Sequence, residues 1–283
     1  MNATPKPMEI ELRGAGGLEL SGDSGGDGAP VLLLHGLSAT RRNVVQGSRH
    51  LIRRGYRLIA YDARGHGTSS PPPDPTAYEY TDLLADLERV LEQLELERVV
   101  LVGSSMGAAT AMAFALANPE QVPALVQITP AYTGDRTTRI PADVLARLAD
   151  ALADGVDSFV DAAIPDDMPA RWREVAREST RQRMERHAHP EAVADALRIV
   201  PFSRAFDGLA QLASVEIPTL VVGSRDEPDT LHPLDIARKY AERLPHAKLI
   251  VEAEGETPIA WRGARLSHAI GDFLERNGVR PQA

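Results

Sequence analysis

A chain of 283 residues with 43% hydrophobic residues is long enough for one large α/β domain with an insertion. The net charge of −9, from 31 basic and 40 acidic side chains, argues against a general affinity for nucleic acid or an anionic membrane. The sequence has no cysteine, which excludes disulfides, thiolate nucleophiles and cysteine metal sites.

The hydropathy pattern gives no sign of export or membrane insertion. Residues 1–7 lack the apolar core of a signal peptide, and no run approaches the ~18 apolar residues that a membrane span needs. We therefore expect a cytoplasmic protein with a small-molecule substrate as its partner, and neither nucleic acid nor a membrane. The sequence leaves open whether the protein forms a homodimer.

The first 131 residues alternate between predicted strands and helices. Alternating polar and apolar residues on both sides of 14–17 predict an antiparallel edge hairpin over 8–20. Apolar runs predict buried strands at 31–34, 57–61, 99–102 and 125–129, with helices at about 43–54, 83–94 and after 107. This rhythm predicts an α/β fold with a mostly parallel central sheet and helices on both faces.

The strand rhythm stops at about residue 132 and returns after residue 213. The intervening sequence is helical, with helices expected near 144–152 and 171–186. We interpret 132–213 as a helical cap over the carboxyl edge of the sheet, and 1–131 with 214–283 as the core. Within the second core segment we expect strands at 219–222 and 248–251 and helices at about 233–244 and 263–277.

A G-x-S-x-G motif, Gly103 to Gly107, lies between the central strand and a run of small residues typical of a helix. This context predicts a sharp turn that lifts the Ser105 hydroxyl above the sheet edge, with the glycines permitting close backbone approach. The N–H of Met106, at the start of the helix, would then point to where an oxyanion forms.

Several motifs in this order resemble the α/β-hydrolase fold, in particular its lid-bearing esterases, enol-lactonases and peroxidase-like members. They are strand-His35-Gly36, Asp62-x-x-Gly65-His66-Gly67-x-Ser69, G-x-S-x-G, the helical insertion and strand-Gly223-x-x-Asp226. The resemblance implies Ser105 as the nucleophile and Asp226 as the acid that orients a histidine. It also implies an oxyanion hole from the N–H groups of Leu37 and Met106, with His35 and Gly36 beside the substrate.

The chain departs from the family pattern after its last strand, where Gly-His is expected. This sequence has Gly255-Glu256 instead. A serine hydroxyl needs a base with a pKa near 7, whereas a glutamate carboxylate has a pKa near ~4.3. Glu256 is therefore a poor replacement, and the general base is open.

His232 is the histidine best placed to substitute. It lies six residues after Asp226, in a loop that leaves the same sheet edge as Ser105. We hypothesise that His232 is the base, with Asp226 or Glu256 accepting a hydrogen bond from its other ring nitrogen. The alternative is that His232 precedes a helix and faces solvent.

The cap sequence and the tryptophans give two further expectations. Six arginines between 171 and 186 are interleaved with glutamates, which favours a solvent-exposed helix with ion pairs over an anion-attracting mouth. Trp261 closely follows the altered position, so we expect it near the site entrance in contact with substrate. For Trp261 and Trp172 alike, the alternative is a packing role.

The sequence thus predicts a serine hydrolase of a small ester, lactone or thioester that forms an acyl-enzyme on Ser105. The alternatives are a cofactor-free lyase or cyclase, and a non-catalytic small-molecule binder with a degraded triad. No metal or organic cofactor is implied, because the sequence shows neither a ligand cluster nor a dinucleotide fingerprint.

Overall fold

The computed structural model describes residues 6–134, 142–229 and 231–281, and this part of the chain contains an eight-stranded sheet in the order β1-β2-β4-β3-β5-β6-β7-β8. The strands are β1 (Met8–Arg13), β2 (Glu19–Gly25), β3 (Pro30–Leu34), β4 (Arg57–Tyr61), β5 (Val100–Ser104), β6 (Leu125–Ile128), β7 (Thr219–Val222) and β8 (Ala247–Ile250). The β1–β2 and β2–β4 pairs are antiparallel, and the pairs from β4 to β8 are parallel. The predicted mostly parallel α/β sheet is confirmed.

Helices cover both faces of this sheet. They are α1 (His50–Arg53), α2 (Tyr80–Gln93), α3 (Met106–Ala117), α4 (Ala142–Ala153), α5 (Val156–Ala163), α6 (Ala170–Met184), α7 (Pro190–Ile199), α8 (Leu234–Arg243) and α9 (Gly263–Arg276). Leu101 of β5 packs in the layer that contains α2, α3 and α8, whereas its neighbours Val100 and Val102 pack in the layer of α1 and α9. Side chains alternate between the faces of a strand, so two covered faces require an unbroken apolar run.

The predicted helix over about 43–54 is wrong for most of its length. The structure has a 3₁₀ turn at Arg41–Asn43 and then only the four-residue α1. Between them Gln46 and Gly47 adopt φ values of 48° and 68°. Two consecutive residues in the left-handed region cannot continue a right-handed helix, and they divide the segment.

Helices α4 to α7, which we call the helical insertion, lie between β6 and β7. Leu148 of α4 and Leu197 of α7 share an apolar cluster with Phe159 of α5. The insertion also contacts the core directly, since Ala196 packs in a cluster with Met106 at the start of α3. None of the helices in the described ranges is long and apolar enough to cross a membrane.

Candidate active site

Ser105 lies at a strained turn between β5 and α3. Its φ and ψ angles are 49° and −109°, a conformation that costs a non-glycine residue about 1–3 kcal/mol. A Cβ atom on Gly103 would lie 2.2 Å from the carbonyl oxygen of Gly107, and one on Gly107 would lie 2.2 Å from that of Leu34. Both positions therefore need glycine for the tight passage from strand to helix. The turn places the Ser105 side chain at the wall of a cavity.

His232 lies beside Ser105, in the loop between β7 and α8. Its Nε2 atom is 2.9 Å from Oγ of Ser105, and its Nδ1 atom is 2.8 Å from Oδ1 of Asp229. An ionised carboxylate only accepts hydrogen bonds, so Nδ1–H donates to Asp229 and Nε2 is left to accept from the serine hydroxyl. The three side chains form one hydrogen-bonded chain from serine to histidine to aspartate.

The charge of Asp229 increases the basicity of His232. Burial of the imidazole disfavours its charged form, and the positive Arg183 acts in the same direction. The nearby Asp229 carboxylate and its hydrogen bond outweigh both effects, so the pKa of His232 is raised above its ordinary value of 6.5.

The carboxylate that pairs with His232 differs from the two that the sequence suggested. Asp226 is exposed, and its Oδ1 accepts a hydrogen bond of 2.6 Å from the backbone N–H of Leu234, the first residue of α8. That N–H has no partner within its own helix, so a nearby carboxylate is stabilising there. Asp229 is three residues before His232, and that short spacing is the only sequence signal that singles it out.

Glu256 is also away from His232. Its side chain is exposed and forms an ion pair of 2.7 Å with Arg265, whose hydrogen bond lowers the pKa of Glu256. The buried carboxylate after β8 is instead Glu252, which accepts a hydrogen bond of 2.6 Å from the backbone N–H of Arg225. Glu252 thereby ties the loop after β8 to the start of the loop that carries His232.

A cavity of about 220 Å³ separates Ser105 from the helical insertion. Its wall is mostly apolar, with contributions from Tyr80, Leu145, Leu148, Phe159, Leu197 and Ile236. Leu37 and Met106 also line it, and in the described part of the chain neither of their N–H groups donates a hydrogen bond. Leu37 follows Gly36, which lies close to the serine: a Cβ atom on Gly36 would be 3.3 Å from Cβ of Ser105.

His35, Gly36 and Trp261, which we expected to contact substrate, are not among the residues that line this cavity. His35 is 2% exposed, and its Nε2 atom accepts a hydrogen bond of 2.8 Å from the N–H of Ala63. Trp261 packs edge-on against Trp172 of α6, with ring centroids 6.4 Å apart. The first two residues therefore shape the loop beside Ser105, and the tryptophan holds the insertion against the core.

Most arginines of α6 form ion pairs on the surface. Arg171 pairs with Glu227, Arg177 with Asp161 and Arg181 with Asp157. Arg183 is different, because it lines the cavity and its Nε atom is buried without a hydrogen-bond partner. The alternating charges along α6 do not distinguish Arg183 from the other arginines.

A metal ion needs several histidine, aspartate or glutamate side chains close together. In residues 6–134, 142–229 and 231–281, no group of three or more of them is arranged to hold one. The described residues that line the cavity include the Ser105 hydroxyl, the His232 imidazole and the Arg183 guanidinium, and further hydroxyl groups are on Ser38, Thr133 and two tyrosines.

The chain is similar in sequence and fold to known proteins. A family model described as alpha/beta hydrolase fold matches residues 29–263. A putative 2-succinyl-6-hydroxy-2,4-cyclohexadiene-1-carboxylate synthase of Bacillus subtilis is 35% identical over 262 residues, covering 86% of this chain and 89% of the relative. The solved structure of a thermophilic esterase from Thermogutta terrifontis has a TM-score of 0.78 and 25% identity, covering 95% of this chain and 99% of that one.

Some curated relatives match over a shorter stretch. The sn-1-specific diacylglycerol lipase ABHD11 of Xenopus laevis is 40% identical over 113 residues, which are 39% of this chain and 35% of the lipase. This match thus covers about a third of the relative's length.

Proposed function

This chain belongs to the α/β-hydrolase family, and from this premise we propose that it is a serine hydrolase of small esters, lactones or thioesters that forms an acyl-enzyme on Ser105. The observation that carries the proposal is the 2.9 Å contact between Nε2 of His232 and Oγ of Ser105. A serine hydroxyl is a weak nucleophile until an adjacent base accepts its proton. This contact lies within the range of about 2.6–3.2 Å that such a proton transfer requires.

Acylation begins when Oγ of Ser105 attacks the carbonyl carbon of the substrate. The hydroxyl proton moves to Nε2 of His232, and the carbonyl π electrons move to the oxygen, which becomes an oxyanion. The imidazolium is stabilised by Asp229, whose Oδ1 accepts the Nδ1–H bond of 2.8 Å. Collapse of the tetrahedral intermediate breaks the bond to the leaving alcohol or thiol, which takes the proton from Nε2.

The N–H groups of Leu37 and Met106 are the donors for the oxyanion. Both residues line the cavity with Ser105, and the N–H of Met106 lies at the positive end of α3. Donors that are already free and oriented need no rearrangement when the charge develops. Removal of one such donor typically costs about 10²–10³ in kcat.

Deacylation repeats these steps with water. His232 takes a proton from the water as its oxygen attacks the acyl carbon, and the acid product leaves as Ser105 regains the proton from Nε2. The helical insertion acts as the predicted cap and limits access of bulk water to this reaction. The cavity of about 220 Å³ is smaller than the roughly 300–1,000 Å³ of drug-sized ligand sites, which favours a small substrate.

A serine-directed fluorophosphonate and p-nitrophenyl butyrate test the proposal together. We expect stoichiometric labelling at Ser105 and turnover of the ester, with both lost in Ser105→Ala and strongly reduced in His232→Ala. A folded protein that is neither labelled nor active on the ester would contradict the proposal.

A second candidate is a cofactor-free lyase reaction, favoured by the Bacillus subtilis relative, whose name describes a synthase. In such a reaction Ser105 and His232 would remove a proton from the substrate, and no covalent intermediate would form. Rapid mixing with excess p-nitrophenyl ester distinguishes the two. A burst of one p-nitrophenol per protein supports the acyl-enzyme, whereas labelling by fluorophosphonate without ester turnover supports the lyase.

A further inference from the structure

Arg183 places a positive charge at the cavity wall without an acceptor for its donors. It is on α6, near the end of the helix, and its Nε–H is buried and unpartnered. No ion pair or hydrogen bond joins its guanidinium to another side chain in the described part of the chain. Burial lowers the pKa of Arg183, because it removes the charged guanidinium from water.

Asp229 does not compensate this charge fully. Its carboxylate is near enough for its charge to act on Arg183, but its Oδ1 is hydrogen-bonded to Nδ1 of His232. The aspartate therefore serves the histidine, while the guanidinium keeps its directional donors free. Buried charges in proteins are normally paired and hydrogen-bonded, because desolvation of an ion costs several kcal/mol.

Other arginines of α6 do have acceptors for their donors. Arg177 and Arg181 are partly exposed and pair with Asp161 and Asp157 of the adjacent α5. Arg173 donates to the carbonyl oxygens of Asp166 and Met168 at 2.7 and 2.9 Å. The arginine that faces the cavity is the one left without an acceptor.

We propose that Arg183 binds a carboxylate of the substrate, so that the preferred substrates are short esters or lactones that carry one carboxylate away from the reacting carbonyl. Hydrolysis of these substrates rests on the proposed function, whereas binding of the carboxylate by Arg183 does not. The planar fork of a guanidinium matches a carboxylate with two parallel hydrogen bonds. Among the described residues that line the cavity, Arg183 is the one arginine or lysine. One such cation in a small cavity with a mostly apolar wall suits a monoanionic group better than a phosphate, which carries more charge and more acceptor oxygens.

The test compares two substrates that differ only in that group. Mono-p-nitrophenyl glutarate carries the carboxylate, and p-nitrophenyl glutaramate has a carboxamide in its place. The readout is the ratio of kcat/KM for the anionic ester to kcat/KM for the amide within each variant, which cancels changes in the reactivity of Ser105. We expect the wild type to favour the anionic ester.

Arg183→Gln should lower this ratio by at least ~thirtyfold, the effect of truncating one partner of a buried, hydrogen-bonded charge pair. Arg183→Met, which keeps the aliphatic stem, should show the same fall. The matched control is Arg186→Gln, a change of an exposed arginine three residues further along, which should retain the wild-type ratio. Equal ratios in the wild type and both Arg183 variants would overturn the inference and leave the hydrolase proposal intact.

A binding measurement tests the carboxylate site independently of the hydrolase proposal. Monomethyl glutarate is titrated calorimetrically into Ser105→Ala, with and without Arg183→Gln. We expect affinity to fall by at least ~thirtyfold in the double variant. If no ester is hydrolysed but this fall is observed, the hydrolase proposal fails and the carboxylate site stands. If affinity is the same in both proteins, the site is absent.

Discussion

His232 reaches Ser105 from the loop after β7, although the family pattern places the histidine in the loop after β8. The two residues are 127 positions apart, and their Nε2 and Oγ atoms are separated by 2.9 Å. Asp229 is in the same loop, so the acid and the base of the proposed triad are held by one short segment between β7 and α8. Movement of that segment would displace both groups together.

Substitution of His232 should be as costly as substitution of the nucleophile. We expect His232→Ala and Ser105→Ala each to reduce kcat for a p-nitrophenyl ester by at least ~10²–10⁴, because a general base contributes this much. The double variant should lose little more than either single variant, since the two residues act as one unit. His246→Ala is the control, because that histidine pairs with Glu216 on the surface. A His232→Ala protein with near-normal kcat would contradict the proposed base.

Two aspartates of one loop should behave differently. Asp229→Asn should reduce kcat by ~10²–10⁴, because an asparagine can donate to Nδ1 and so favours the imidazole tautomer that cannot accept the serine proton. Asp226→Asn should change stability by less than ~1 kcal/mol, since asparagine also caps helix starts well. Steady-state kinetics and urea unfolding of both variants measure this contrast. A larger loss of activity in Asp226→Asn than in Asp229→Asn would show that the pairing is incorrect.

The pH profile of kcat/KM should report His232. The protonated imidazole cannot accept the serine proton, so activity should rise with pH as His232 loses its proton. Because Asp229 raises the pKa of His232, the half-maximal point should lie above 6.5. In Asp229→Asn only burial and Arg183 remain, and both lower that pKa, so the residual activity should shift to lower pH. Profiles from about pH 5 to about pH 9 for both proteins test the direction of this shift.

The buried histidines should make the protein sensitive to acid. Burial lowers the pKa of His35 and of His187 to about 3, against 6.5 for the ordinary value. As pH falls below 6.5, the unfolded chain binds protons that the native state does not, so stability should decrease between pH 6.5 and pH 3. The decrease is about 1.4 kcal/mol per pH unit for each histidine.

Urea unfolding at several pH values measures that slope. His187→Asn removes one titrating group, and its Oδ1 atom, which takes the position of Nδ1, can still accept the bond from the N–H of Gly67. The variant should therefore lose stability with acid less steeply than the wild type. Equal slopes in the variant and the wild type would contradict the assignment.

The sequence by itself determined the α/β sheet and the position of Ser105 within it. Apolar runs such as 99–102 are readable because a strand covered on both faces needs no polar residues. The turn is equally local, since Gly103 and Gly107 are four residues apart and a Cβ on either would meet backbone 2.2 Å away. Periodicity and short-range steric exclusion are properties of a few neighbouring residues, so the chain displays them without tertiary context.

Only the tertiary structure decided which groups meet at that serine. The family pattern favours Asp226 as the acid, but the path of the loop after β7 brings Asp226 to the start of α8 and Asp229 to His232. Arg183 looks like its neighbours on α6 until the helix is packed over the cavity. These choices depend on where distant segments of the chain come together, and a repeating pattern along the sequence does not encode that.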